Sequence, residues 1–136
     1  MVRLNTSNGY GSTNTVIRRF TNTVTNQGSD ITYADSATLG ATFTINTSGV
    51  YAISYNDNFT ASDFLGISLN STQLTTAISS TTVADRLCMS FGSAANVMGV
   101  TGVTCYLSAG AVIRAHTGGT AVFTAANVNF TITRVS

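Results

Sequence analysis

Residues 39–55, LGATFTINTSGVYAISY, decide how the rest of this chain is read. Phe43 and Ile45 alternate with Thr42, Thr44 and Asn46. After Thr47-Ser48-Gly49, Tyr51, Ile53 and Tyr55 alternate with Ala52 and Ser54. Period two is the spacing of a β-strand, whose successive side chains face opposite ways. Two such runs around a glycine predict a hairpin, with Gly49 supplying a positive φ at its turn.

Working outward, further strand-like runs recur at the spacing of a sandwich or jelly roll. They are predicted at 15–25, 30–34, 41–46, 50–56, 64–70, 73–79, 85–91, 97–107, 111–116, 120–124 and 127–135. Turn residues separate them, among them Gln27-Gly28-Ser29, Asn70-Ser71, Ala109-Gly110 and Gly118-Gly119. No segment keeps apolar residues three and four apart over the length a helix needs. A chain made of strands alone must pack sheet on sheet. In the last strand Val128, Phe130 and Ile132 share a face, so it is expected inside a sheet, where both apolar side chains are covered. Residues 15–136 are expected to form one domain, preceded by an N-terminal arm, 1–14.

Composition narrows the function classes. The chain has 136 residues, no Pro, no Trp, and neither Lys nor Glu. Only 8% of its residues are charged, against about 25% in ordinary soluble domains. Thr, Ser and Asn supply the polar surface instead. The formal net charge of +1 comes from six Arg and five Asp. No basic stripe is present to neutralise phosphates, which argues against nucleic-acid binding. No apolar run approaches the ~18 residues of a membrane helix, and membrane insertion is not expected. The first residues, MVRLNTSNGYG, are polar and glycine-rich, unlike a secretory signal; the gene product is expected to start directly with its domain. Sheet edges are ordinarily guarded by Lys and Pro. With neither available, the edges are expected to be hidden in an oligomer.

Residues that carry chemistry are few. His116 is the only histidine, and no nucleophile-elbow motif accompanies it. It shares a strand face with Arg114 and is expected at a strand end or a subunit contact, where three copies meeting on an axis would be the one way to hold a metal. Asp30, Asp35, Asp57 and Asp63 lie in or near predicted loops, but their spacing matches no calcium-loop motif; they read as solvated turn residues. Arg18 and Arg19 are strand neighbours and must point to opposite faces, one outward or toward a neighbouring subunit, with Asp35 of another chain as one partner. Cys88 and Cys105 are expected as free thiols in different environments, consistent with assembly in a reducing cytosol. Five Asn-x-Ser/Thr sequons, starting at Asn5, Asn46, Asn58, Asn70 and Asn129, arise readily in so Ser- and Thr-rich a chain. Tyr51 and Tyr55 are expected in the core with their hydroxyls bonded, and Tyr106 exposed, where its ring suits a sugar.

From Gly40 onward the chain resembles the jelly-roll head shared by complement component 1q and the tumour-necrosis-factor family. The residues that carry this are Gly40, Phe43, Gly49, Tyr51, Ile53 and Tyr55, then Gly66-Ile67-Ser68-Leu69-Asn70, Val103 to Gly110, Val112-Ile113-Arg114, and Phe130-Thr131-Ile132. Ala111 stands where the family usually has an acidic residue. The segment from Gly9 to Gly40 looks like one common in virion proteins of tailed bacteriophages, including fibre tips. Together the resemblances imply an all-β jelly-roll sandwich assembling as a homotrimer. They imply no enzyme and no cofactor, but a structural protein of the virion surface, assembled in the host cytoplasm, whose partners are other virion proteins of capsid or tail. Capsid decoration is the first expectation. The alternative is a receptor-binding head of a fibre or tail tip that recognises a host-surface glycan or envelope protein. Arg18, Arg19, Tyr106, Arg114 and His116 are the candidate ligand or partner contacts.

Overall fold

The alternation of Thr with β-branched and aromatic residues is realised as ten strands in the computed structural model, which describes residues 1–136. In chain order they are β1 (Val2–Tyr10), β2 (Arg18–Asn26), β3 (Ile31–Ser36), β4 (Gly40–Ile45), β5 (Gly49–Asp57), β6 (Asp63–Leu69), β7 (Arg86–Gly92), β8 (Gly99–Leu107), β9 (Val112–Thr117) and β10 (Asn129–Arg134). Two five-stranded sheets result. The first runs β2-β1-β10-β5-β8 and the second β3-β4-β9-β6-β7. Every pairing is antiparallel. The only helical pieces are single 3-10 turns at Ile78–Ser80, Val83–Asp85 and Ala125–Asn127.

One face of each sheet is apolar because the side-chain period is two, and the two apolar faces meet. The first sheet contributes Val2, Leu4, Phe20, Tyr51, Ile53, Tyr55, Phe130 and Ile132; the second contributes Ile31, Phe43, Ile45, Leu65, Ile67 and Ile113. All are buried. Burying each of these large side chains contributes roughly 1.5–3 kcal/mol. Tyr51 and Tyr55 keep their hydroxyls bonded, Tyr51 donating to the Thr47 carbonyl at 2.6 Å and Tyr55 to the Asp57 carboxylate. β10 lies between β1 and β5, in the middle of its sheet.

Four expectations are corrected. Residues 39–55 form two strands but no hairpin: β4 pairs with β3 and β9 in one sheet, and β5 with β10 and β8 in the other. The chain crosses between layers at Thr47-Ser48. Gly49 has no positive φ; a Cβ there would collide with the Ser136 carbonyl and stand 2.6 Å from Arg134 Nε. It is glycine because the chain's last residues pass against it. Gly40 is the position that needs left-handed backbone, with φ +81° and Ile17 pressed against its α-carbon. Second, Val2–Tyr10, read from sequence within an arm, is a strand bonded on both sides, to β2 and β10. Its alternating Val2 and Leu4 are fully buried. Third, residues 73–79 are not a strand. They belong to a strap that crosses the outer face of the second sheet, with Ile78 seated over Gly66. Fourth, of 120–124 only Val122 pairs, in a single bridge to Phe59.

Candidate functional site

A charged cluster lies inside one end of the sandwich. Arg18, the first residue of β2, points inward and is fully buried. Its Nε and Nη2 donate to Asp57 Oδ2 at 2.7 and 2.5 Å. Asp57 also accepts from the Tyr55 hydroxyl and, at 2.8 Å, from the Asn58 amide. The guanidinium lies 4.2 Å from the centre of the Tyr10 ring, a cation–π contact. Tyr10 donates to the Thr120 carbonyl and accepts from Thr117, both at 2.7 Å. Burial pushes the Tyr10 hydroxyl up to about 12, with the Arg18 charge pulling the other way. Beside this cluster Asn58 clamps Thr124 through both ends of its amide, and Asp63 accepts from the amides of Phe64 and Thr120. The polar groups thus pin the 117–124 loop and close that end of the core.

On the outer face of the second sheet, the strap from Asn70 to Asp85 covers a second polar group. Cross-strand register sets Gly66 opposite His116 and Ser68 opposite Arg114. His116 is fully buried, with Nε2 2.8 Å from the Thr76 carbonyl of the strap. Arg114 donates to the Ser71 carbonyl at 3.3 Å.

The third feature is an edge. β7 and β8 end their respective sheets on the same side of the sandwich, so both have an unpaired flank. Met89 and Phe91 on β7 are exposed on the outer face of the second sheet, Val100 and Tyr106 on β8 on the outer face of the first, and Val97 and Met98 in the connection between the two strands. Val100 is 63% exposed and Tyr106 65%, values that leave most of each side chain to water. Phe64 and Phe91 pair on the surface with centroids 4.7 Å apart. No charged residue occurs from Leu87 through Ile113. An uncharged, apolar, doubly open edge is what natural sheets avoid unless a partner covers it.

These placements sort the five candidate contacts. Tyr106 is exposed on the β7/β8 edge. Arg19 is half-buried and pairs with Asp35 of its own chain at 2.8 Å, so the contact imagined between chains is internal. Arg18 and His116 are enclosed and reach no surface, because one is drawn to Asp57 and the other roofed by the strap. Arg114 is partly covered by the same strap. The four aspartates read as solvated turns are spread over different partners: Asp57 with Arg18, Asp35 with Arg19, Asp63 with the 120 loop, and Asp30 within 3.9 Å of Arg134. Cys88 and Cys105 are free and pack against the same core rather than in different environments. Burial raises both thiols above their ordinary range. Sequence reasoning missed the edge as a site; the uncharged run from Leu87 to Ile113 was the signal for it.

No family model matches the chain, and no curated protein matches it. Its fold is similar to three crystal structures of murine APRIL, a tumour-necrosis-factor-family jelly roll. The structure at pH 8.5 aligns with TM-score 0.68 and 11% identity, those at pH 8.0 and 5.0 with 0.65 and 0.63 and 10% identity. Each alignment covers 98% of this chain and 97% of the other. The chain is an all-β, tumour-necrosis-factor-like jelly roll.

Proposed function

We propose that this jelly roll is a non-enzymatic surface protein of a tailed-phage virion, a capsid decoration protein that works as a homotrimer. The observation that carries the reading is the β7/β8 edge. Two neighbouring open strands with Met89, Phe91, Val100 and Tyr106 exposed, and no charge among them, suit contact with further copies. The outer face of the first sheet continues this surface with Ala52, Ser54, Thr104 and Thr131, small and uncharged. The virion placement rests on the likeness of Gly9–Gly40 to phage virion segments. Light scattering after size exclusion should give three times the 14.1 kDa chain mass, and the trimer should co-sediment with undecorated capsids. A monomer at micromolar concentration ends the assembly reading; a trimer that leaves capsids bare ends the decoration reading.

A receptor-binding head is the second reading, and Tyr106 favours it, because its exposed ring is a platform on which a sugar can stack. Adsorption to host cells that is lost in Tyr106→Ala, with the trimer intact, is its expected result. Undiminished adsorption by that variant removes Tyr106 from the account.

A further inference from the structure

We propose that the segment Asn70–Asp85 is an acid-released strap, closed over the second sheet while the buried His116 imidazole is neutral. The strap is tied to the sheet by few bonds. Ile78 is fully buried over Gly66, where a side chain would collide with it. Arg114 reaches the Ser71 carbonyl, Arg86 the Ser79 carbonyl at 3.4 Å, and His116 the Thr76 carbonyl. Internally the strap closes on Gln73, whose Oε1 accepts from the Thr82 amide at 2.8 Å.

A carbonyl oxygen only accepts, so His116 Nε2 carries the proton and Nδ1 presents a bare lone pair. That Nδ1 is buried without a partner in the chain, as are Ser68 Oγ and Arg114 Nε on the same face. Register brings the three together: Ser68 faces Arg114 directly, and His116 stands two residues along β9. A proton added to Nδ1 places a second positive charge beside the Arg114 guanidinium in an enclosed space. The charged groups around it are Arg114 on β9, Arg86 at the start of β7 and Asp85 in the strap, the single carboxylate of the set. β6 offers only Gly66, Ile67 and Ser68 there. Ile17 bridges to His116 from the run into β2, but the charges that follow it are engaged elsewhere, Arg18 with Asp57 and Arg19 with Asp35. Burial lowers the basicity of the imidazole and Arg114 lowers it further, which together outweigh the opposing pull of the Thr76 carbonyl and Asp85. The proton therefore enters most readily when the strap lifts, exposing Gly66, Ser68, Arg114 and His116 to solvent together.

The chain has one histidine, so its imidazole resonances are unambiguous in NMR. Nitrogen shifts at pH 7.5 are expected to report the Nε2–H tautomer. Hydrogen exchange, corrected for intrinsic rates, is then compared at pH 7.5 and 5.0. Protection of the Thr76, Ser80, Thr82 and Asp85 amides should fall tenfold or more at pH 5.0, while β5 amides keep theirs. His116→Gln, whose amide still donates to Thr76, should abolish the difference. Arg114→Met should move the transition to higher pH. An Nδ1–H tautomer, equal strap protection at both pH values, or an unchanged pH response in His116→Gln overturns the proposal. If His116→Gln does not fold, Arg114→Met decides alone: a transition that stays in place or moves down overturns it.

Discussion

Phe43 of β4 and Phe130 of β10 stack across the space between the sheets, with centroids 4.3 Å apart and planes 17° from parallel. Phe130 also meets Phe20 at 6.1 Å and Tyr55 at 5.8 Å, while Tyr33 extends the stack on Phe43 at 5.3 Å. One ring thus ties three strands of its own sheet to the opposing layer. Phe130→Ala should lower unfolding free energy by about 3–5 kcal/mol, read from urea denaturation. A loss under about 1 kcal/mol would mean that the neighbouring rings close the gap.

The Arg18–Asp57 pair is fully enclosed. Removing one member strands the other charge away from water, at a cost of about 3–5 kcal/mol. Asp57→Asn should show that loss. Arg18→Met combined with Asp57→Leu should recover much of it, since no ion is then buried. If the double variant is as unstable as the two single losses added together, the pair is not the coupled unit the geometry describes.

Charge on the open edge should separate assembly from folding. Val100→Lys with Tyr106→Lys places two ammonium groups on a surface that has none. Surface changes of this kind shift stability by within about 0.5 kcal/mol, so the urea midpoint should hold while light scattering falls to the monomer mass. Unchanged assembly would move the contact to another face.

Two glycines should fail for different reasons. At Gly40, φ +81° disfavours any side chain and Ile17 blocks the space as well; at Gly110, φ is +89° but nothing lies near. Gly110→Ala should cost about 1–2 kcal/mol, and Gly40→Ala clearly more, by the same denaturation assay. Equal losses would show that Ile17 yields.

Stability should depend on pH through His116. Its folded pKa lies below the ordinary 6.5, so the unfolded chain takes up the proton first. The fold keeps its full stability above about 6.5 and loses it progressively as pH falls below that value, down to the lowered folded pKa. Urea midpoints at pH 7.5 and 5.0 should differ in that direction, and the difference should vanish in His116→Gln.

Much of this architecture was legible in the chain. The predicted runs located β2 through β10, and the Phe130 and Ile132 pattern placed the last strand inside a sheet. Alternation tells which way a side chain faces but not which strand lies beside it. Hence the runs on either side of Thr47-Ser48-Gly49 read as a hairpin although they sit in opposite layers. β1 was obscured by its Asn, Ser and Gly. The partnership of Arg18 with Asp57 is set by tertiary packing across 39 positions, and no local pattern announces it. The strap shows the same limit: Gln73–Ser79 has no turn signal inside it, and only the bare α-carbon of Gly66 explains where Ile78 lands.

The pairing of Val2–Asn5 with Asn129–Ile132 imposes an order on biosynthesis. Of the ten strands a ribosome makes β1 before all the others and its neighbour β10 after them, so β1 spends on the order of ten seconds with that flank open while the strands between are translated. During that interval nascent chains on one messenger carry matching unpaired backbones, each a template on which another's β1 can pair in place of its own β10.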